Sequence, residues 1–225
     1  RKNLFEGIPF IHGDLLVPED IRSAMKGIRS VIHLAALKAA GESMEIPERY
    51  ALNNLNGTVH LLNAASAAGV RHFVFSSSAA VYGEPQYLPL DEAHPTEPAN
   101  FYGQTKLQIE MLLVWYSRLK NMRYASLRYF NAAGYDPEGE IRGLEREPNN
   151  LLPIVLEAIV GKRRGVEVFG NDYETEDGSC IRDYIHVTDL ADAHIRALKY
   201  LEKEDRDLLV NLGTSKGLSV FQILE

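Results

Sequence analysis

Four short apolar runs, each separated from the next by a stretch long enough for a helix, constrain this chain more than anything else in it. They are Val31-Ile32-His33-Leu34-Ala35-Ala36, His72-Phe73-Val74-Phe75, Tyr124-Ala125-Ser126-Leu127-Arg128-Tyr129-Phe130 and Leu208-Leu209-Val210-Asn211-Leu212. Val31 to Ala36 is apolar nearly throughout, as a strand must be when helices cover both faces of a parallel sheet. Amphipathic, helix-length segments run from about Asn53 to Ala68, stopped by Gly69 at the usual post-helix position, and from Phe101 to about Lys120. Strands alternating with helices imply an α/β fold built on a doubly wound, Rossmann-type parallel sheet.

The remaining segments fill in around that frame. Ile8-Pro9-Phe10-Ile11-His12 reads as a further strand closed by Gly13-Asp14, and Pro18-Glu19-Asp20 opens a short helix with acids in its first turn. After Asn131 the texture changes. Residues 132–150 carry Gly, Pro and charge without periodicity and read as a long loop over a site. A helix over Leu151 to Gly161, a short strand Val166-Glu167-Val168-Phe169 and a polar loop to Ser179 follow. Ile181 to Val187 reads as a strand, leading into a helix capped by Thr188 or Asp189. Leu218 to Glu225 begins a helix. Residues 1–131 form one domain. Residues 132–225 form a mixed second region, a smaller C-terminal part from which the segment around 181–203 returns to the first.

Composition excludes several classes of function. A net charge of −7 and the absence of any basic stripe argue against a nucleic-acid partner. No apolar run approaches the roughly 20 residues needed to span a bilayer, and no signal peptide is present. Cys180 is the only cysteine. It rules out an intrachain disulfide, points to a reducing cytoplasm, and leaves no Cys/His cluster with metal spacing.

The chemistry concentrates in Phe101-Tyr102-Gly103-Gln104-Thr105-Lys106, read with Ser78 at the end of Phe73-Val74-Phe75-Ser76-Ser77-Ser78. Tyr102 and Lys106 are four residues apart at the head of a helix, so their side chains share a face. A phenol with a reference pKa of about 10 is a poor base near neutral pH. An adjacent ammonium or a cationic nicotinamide ring favours the phenolate. Ser78 supplies a hydroxyl to orient a substrate oxygen, and the trio suits alcohol–ketone interconversion. Tyr116 and Lys120 repeat the spacing on the same helix, but about 21 Å further along, at the end away from the strand termini where ligands sit. They read as packing or surface. Taken singly, Lys38 reads as a solvated lysine and Arg182 as a ligand contact or an ion-pair partner of Asp183. Asn53, Asn54 and Asn56 read as a turn or cap cluster, His186 as a satisfied strand histidine, and Glu84, Asp91 and Glu92 as a solvated loop.

In their joint order, several longer stretches resemble the UDP-glucose 4-epimerases of the extended short-chain dehydrogenase/reductase family. They are His33 through Ser43, Asn53-Asn54-Leu55-Asn56-Gly57-Thr58, Phe75 through Gly83, Tyr102 through Lys106 and Leu127-Arg128-Tyr129-Phe130-Asn131. Pro148-Asn149-Asn150-Leu151, and Phe169 to Tyr173 with Arg182 through Val187, continue the pattern. The resemblance covers nearly all of the chain. It implies NAD as cofactor, a UDP-hexose as substrate, 4-epimerisation through a transient 4-keto sugar, and a homodimer. Ser78, Tyr102 and Lys106 match the catalytic trio. Asp14, Leu15, Leu34, Ala35, Ala36, Leu37, Lys38, Asn53 and Phe130 match cofactor contacts. Asn131, Asn150, Leu151, Glu167, Val168, Phe169 and Arg182 match positions that hold the UDP-sugar.

Departures from the family pattern also carry information. Dehydratases of this fold place an Asp-Glu pair directly after the catalytic hydroxyl residue. Here Ala79 and Ala80 stand there, so elimination lacks its acid and base. UDP-GlcNAc or a UDP-pentose remains open as the substrate, and a non-catalytic nucleotide-binding role is the competing class. The family's first strand and glycine-rich pyrophosphate loop would precede Arg1, and its later substrate residues would follow Glu225. The chain therefore reads as a fragment of such an enzyme.

Overall fold

A computed structural model of the chain describes residues 7–141 and 148–225. In chain order its elements are α1 (Pro18–Ala24), β1 (Ser30–His33), α2 (Ala40–Glu45), α3 (Pro47–Tyr50), a π-helical turn (Ala51–Asn56) and α4 (Gly57–Ala67). Then come β2 (His72–Ser76), a 3-10 turn (Ala79–Val81), α5 (Phe101–Lys120), β3 (Arg123–Tyr129), β4 (Asn131–Ala133) and α6 (Leu151–Ile159). The chain finishes with β5 (Ile181–His186), α7 (Val187–Glu204), β6 (Leu208–Leu212), β7 (Gly217–Ser219) and α8 (Val220–Leu224). Two compact units result. Among the described residues, the larger comprises 7–129 and Ala191–Leu212, and the smaller comprises 130–141, 148–190 and Gly213–Glu225.

The larger unit is a parallel sheet in the order β1-β2-β3-β6. Because side chains alternate across a strand, the apolar runs serve two cores at once. Phe73 and Phe75 of β2 point to one face, where Leu61, Leu62, Ile109 and Leu113 from α4 and α5 close over them. Val74, between them, joins Ala125 and Leu127 on the other face under Ala197 and Leu201 of α7. Phe73, Phe75 and Leu62 are fully buried, each contributing about 1.5–3 kcal/mol of transfer free energy. The sheet with helices on both faces is the doubly wound arrangement that the run pattern implies.

Local signals set the ends of α5. The Asn100 carboxamide oxygen accepts from the Gly103 N–H at 2.9 Å, Arg118 and Lys120 occupy the last turn, and Asn121 ends the helix in the left-handed region. In the smaller unit, β4 pairs parallel with β5, and β7 pairs antiparallel with β5. A capping box of Ser219 and Gln222 starts α8.

Some sequence expectations fail here. Ile8–His12 forms no strand. Ile8, Phe10 and Ile11 are all more than half exposed, and Pro9 has no N–H to offer a ladder. Val166–Phe169 is likewise irregular, with Phe169 77% exposed. Neither segment has a neighbouring strand among the described residues, and an apolar run without a partner is not a strand. β1 stops at His33, leaving Leu34–Ala36 as loop, whereas Asn131–Ala133 is ordered as a strand where a loop was expected from residue 132. The start of α7 is held by His186, whose Nδ1 accepts from the Thr188 N–H at 3.2 Å, and not by a Thr188 or Asp189 cap. Residues 142–147 of the long loop lie outside the described residues.

Candidate active site

In the larger unit, β2 ends at Ser76 and the chain turns at Ser78, whose hydroxyl accepts from the Ala80 N–H at 3.2 Å and opens the 3-10 turn. The head of α5 lies against that turn because residue 103 has no side chain. A Cβ there would stand 2.4 Å from the Ala80 carbonyl oxygen and 3.2 Å from Pro98 Cβ. From the other side α2 seats the helix: the Ser43 hydroxyl accepts from the Tyr102 N–H at 3.0 Å while donating to the Ala40 carbonyl at 2.6 Å. Ser78, Tyr102 and Lys106 are thereby brought together, with the Ser78 side chain near enough to the Tyr102 phenol to favour its ionised form.

Lys106 is almost wholly buried. Its ammonium donates to the Ser76 carbonyl at 2.8 Å, lies 4.8 Å from the centre of the Phe75 ring, and lies 5.7 Å from that of Tyr102. Burial lowers its pKa to about 8 against an opposing pull from Glu110. Burial pushes Tyr102 the other way, to about 12, against the opposing pull of Ser78. His33 stays neutral beside them. Burial and then the Lys106 ammonium hold it down at about 3, and its Nε2 sits 2.9 Å from Thr58 Oγ1. Thr58 already gives its proton to the Asn54 carbonyl, so the imidazole donates. A phenol raised this far needs positive charge nearby to act as a base; the Lys106 ammonium lies 5.7 Å from its ring, and an oxidised nicotinamide would add to that charge.

Around the end of β1, Leu34, Ala35, Ala36 and Lys38 are exposed, and the two alanines leave the backbone uncovered. Lys38 makes an interaction of its own. Leu37 is pinned by Asn54. That carboxamide accepts from the Leu37 N–H at 2.9 Å, donates to its carbonyl at 3.0 Å, and reaches Thr105 Oγ1 at 3.2 Å. Asn54 lies in the π-helical turn, a deviation frequent at functional sites. Asn53, which the sequence singles out, bonds the Arg49 carbonyl at 2.8 Å. Asp14 folds into its own turn, its carboxylate accepting from the Leu16 N–H, and Leu15 packs against Gly57. Tyr116 donates to Asn63 on α4 at 2.7 Å, consistent with a packing role.

The other candidates belong to the smaller unit. Asn131 donates to the Asp183 carbonyl at 3.0 Å. Phe130 and Leu151 are partly buried, as is Val168, whereas Asn150, Glu167 and Phe169 are exposed. Arg182 is exposed and donates to the Ile181 carbonyl at 2.8 Å. Asp183 turns to the Thr214 and Ser215 backbone instead. Among the described residues no group of His, Cys, Asp or Glu could hold a metal ion.

Sequence reasoning gave no site role to His33, Glu110 or Arg128, and read Asn54 as part of a turn or cap cluster. Arg128 carried a usable signal. A charge inside an apolar strand has to be paired, and Glu110 is its partner, with a 2.6 Å contact.

Residues 1–213 match the NAD dependent epimerase/dehydratase family. A UDP-glucose 4-epimerase of Rhizobium leguminosarum is 49% identical over 87% of this chain and 60% of its own length. One from Halalkalibacterium halodurans is 46% identical over 97% of the chain and 66% of its own length. The crystal structure of UDP-glucose 4-epimerase from Brucella ovis in complex with NAD superposes with a TM-score of 0.92 at 44% identity, covering 95% of this chain and 66% of that one. The chain thus spans between 60% and 66% of the length of these relatives.

Proposed function

The chain belongs to the NAD dependent epimerase/dehydratase family, and on that premise we propose that it carries the catalytic trio of an NAD-dependent UDP-hexose 4-epimerase. The observation that carries this reading is the convergence of Ser78, Tyr102 and Lys106, with burial raising the Tyr102 phenol and the Lys106 ammonium 5.7 Å from its ring. Leu34 to Lys38, Asp14, Leu15, Asn53 and Phe130 hold the cofactor in this reading, and the uncovered backbone at Ala35 and Ala36 fits a close ligand. NAD, when bound, supplies reversible two-electron oxidation at C4 of the hexose. Tyr102 Oη takes the proton of the 4-hydroxyl as the ketone forms, and returns it once the sugar has presented its other face. Ser78 Oγ orients the reacting oxygen, and the Lys106 ammonium favours the phenolate. The smaller unit's Asn131, Asn150, Leu151, Glu167, Val168, Phe169 and Arg182 hold the UDP-sugar, Arg182 suiting a diphosphate by its forked geometry and Phe169 offering a ring to uracil.

Ala79 and Ala80 supply neither acid nor base, which favours epimerisation over dehydration within the family. Self-association is part of the same reading. Met111, Trp115 and Leu119 recur at helical spacing on the exposed side of α5, and Leu52 of the π-helical turn is exposed as well. A homodimer would cover such a surface. No described helix is long and apolar enough to cross a membrane, and with Cys180 free we place the protein in a reducing cytoplasm.

The test is conversion of UDP-galactose to UDP-glucose by the protein that carries this chain, followed with a coupled dehydrogenase. Turnover supports the reading. Its absence, with turnover of UDP-GlcNAc or a UDP-pentose instead, reassigns the substrate, and no turnover of any of these overturns it.

A further inference from the structure

The residues on either side of the Ser78 turn are gripped by one buried ion pair. On the entering side, the Ser77 hydroxyl donates to Glu110 Oε1 at 2.5 Å. On the leaving side, Arg128 Nη1 donates to the Tyr82 phenol at 3.0 Å. The two grips are joined because Arg128 clasps Glu110 through one edge of its guanidinium, Nη2 to Oε2 at 2.6 Å and Nε to Oε1 at 3.0 Å. Both side chains are only 6% exposed. The Tyr82 hydroxyl donates to Asn211 Oδ1 at 2.6 Å, and the Asn211 N–H donates to Glu92 Oε1 at 2.7 Å.

Burying two charges is expensive, and apolar residues of similar volume often serve stability as well or better. Packing alone therefore does not explain the pair. What it offers is direction. A planar guanidinium bonded twice to one carboxylate fixes the orientation of both groups. Here the pair ties together α5, which carries Tyr102 and Lys106, β3, and both ends of the segment between Ser77 and Tyr82. Burial works against the Arg128 charge, but its bonds to Glu110 and Tyr82 outweigh that and hold the guanidinium protonated.

We propose that the Glu110–Arg128 pair is a positioning device that sets the Ser78 hydroxyl against Tyr102 by holding Ser77 and Tyr82. The proposal rests on the reading of Ser78 as the group that orients the reacting oxygen, and its test separates the two. Ser77→Ala and Tyr82→Phe each release one grip without stranding a charge, and Glu110→Gln breaks the ion pair. Two readouts apply: amide hydrogen exchange at Val81 and Tyr82, whose N–H groups close the turn, and the split between kcat and KM for the UDP-sugar. Each single-grip variant should raise exchange at those two amides about tenfold, leave Phe73 to Phe75 unchanged, and lower kcat about tenfold at constant KM, with Glu110→Gln larger on both counts. Should Glu110→Gln fail to fold, the two single-grip variants decide alone. Unchanged exchange in the turn, exchange raised evenly across β2, β3 and the turn, or faster turn exchange with normal kcat would each overturn the proposal. If the parent protein turns over no nucleotide sugar, the functional reading falls while the exchange data still show whether the pair holds the turn.

Discussion

Asn54 holds Leu37 by both of its backbone groups, accepting from the N–H at 2.9 Å and donating to the carbonyl at 3.0 Å. The same amide nitrogen touches Thr105, the residue before Lys106. A loop that ends β1 and the helix that bears the candidate base are thus fastened by one buried side chain, 1% exposed.

Asn54→Ala should therefore act at two levels. It strands the Leu37 N–H and carbonyl, which at roughly 1–3 kcal/mol for a buried unpaired group makes the variant clearly less stable. It also frees the loop that we propose lines the cofactor. Urea denaturation should register the first effect, and calorimetric titration with NAD should register the second as a loss of about tenfold or more in affinity. Asn53→Ala, which removes a bond to the Arg49 carbonyl at a less buried position, should leave stability within about 0.5 kcal/mol. Equal effects of the two substitutions would refute the assignment of the clamp to Asn54.

Tyr102→Phe removes the proposed proton acceptor and little else. Turnover of UDP-galactose should fall by about 10²–10⁴-fold, the usual worth of a positioned acid–base group, while UDP-sugar binding by calorimetry stays within a few fold. A variant with near-normal kcat would remove Tyr102 from the mechanism.

Gly103→Ala tests the contact that seats α5 against the Ser78 turn. On helix propensity alone alanine is favoured by about 1 kcal/mol. The new methyl, however, would meet the Ala80 carbonyl oxygen at 2.4 Å, a backbone atom that cannot swing away. Overpacking of this kind costs about 1–3 kcal/mol, so the net change should be destabilising, with kcat lowered as the turn is pushed off Tyr102. A stabilised and fully active variant would show that the approach is not tight.

His33 gives a pH signature. Burial first, then the Lys106 ammonium, lowers its pKa from 6.5 to about 3. The folded protein therefore keeps His33 neutral where the unfolded chain has already taken up a proton. Stability from this residue is fully present above pH 6.5 and is lost as the pH falls from 6.5 toward 3, by up to about 1.4 kcal/mol per pH unit. Replacing His33 with Leu should flatten that part of the curve. Denaturation midpoints at pH 7, 6 and 5 for both proteins check it, and parallel curves would mean that His33 titrates normally in the fold.

The sequence by itself determined the main sheet and the candidate catalytic groups. The apolar runs at residues 31–36, 72–75, 124–130 and 208–212 became the parallel sheet. Tyr102 and Lys106 were legible because helical spacing alone puts them on one face. Tertiary structure decided what depends on a distant partner. Ile8–His12 and Val166–Phe169 have the composition of strands, but a strand exists only where a second backbone answers its donors and acceptors. Asn53 and Asn54 are adjacent and chemically identical, and only the π-helical turn decides which of them faces Leu37. Arg128, inside an apolar strand, signals that it needs a partner, but only the fold shows that the partner is Glu110, and burial then makes each dependent on the other. Periodicity is a local property and survives in the sequence, whereas desolvation is set by whatever the folded chain lays on top of a residue, and no short stretch records it.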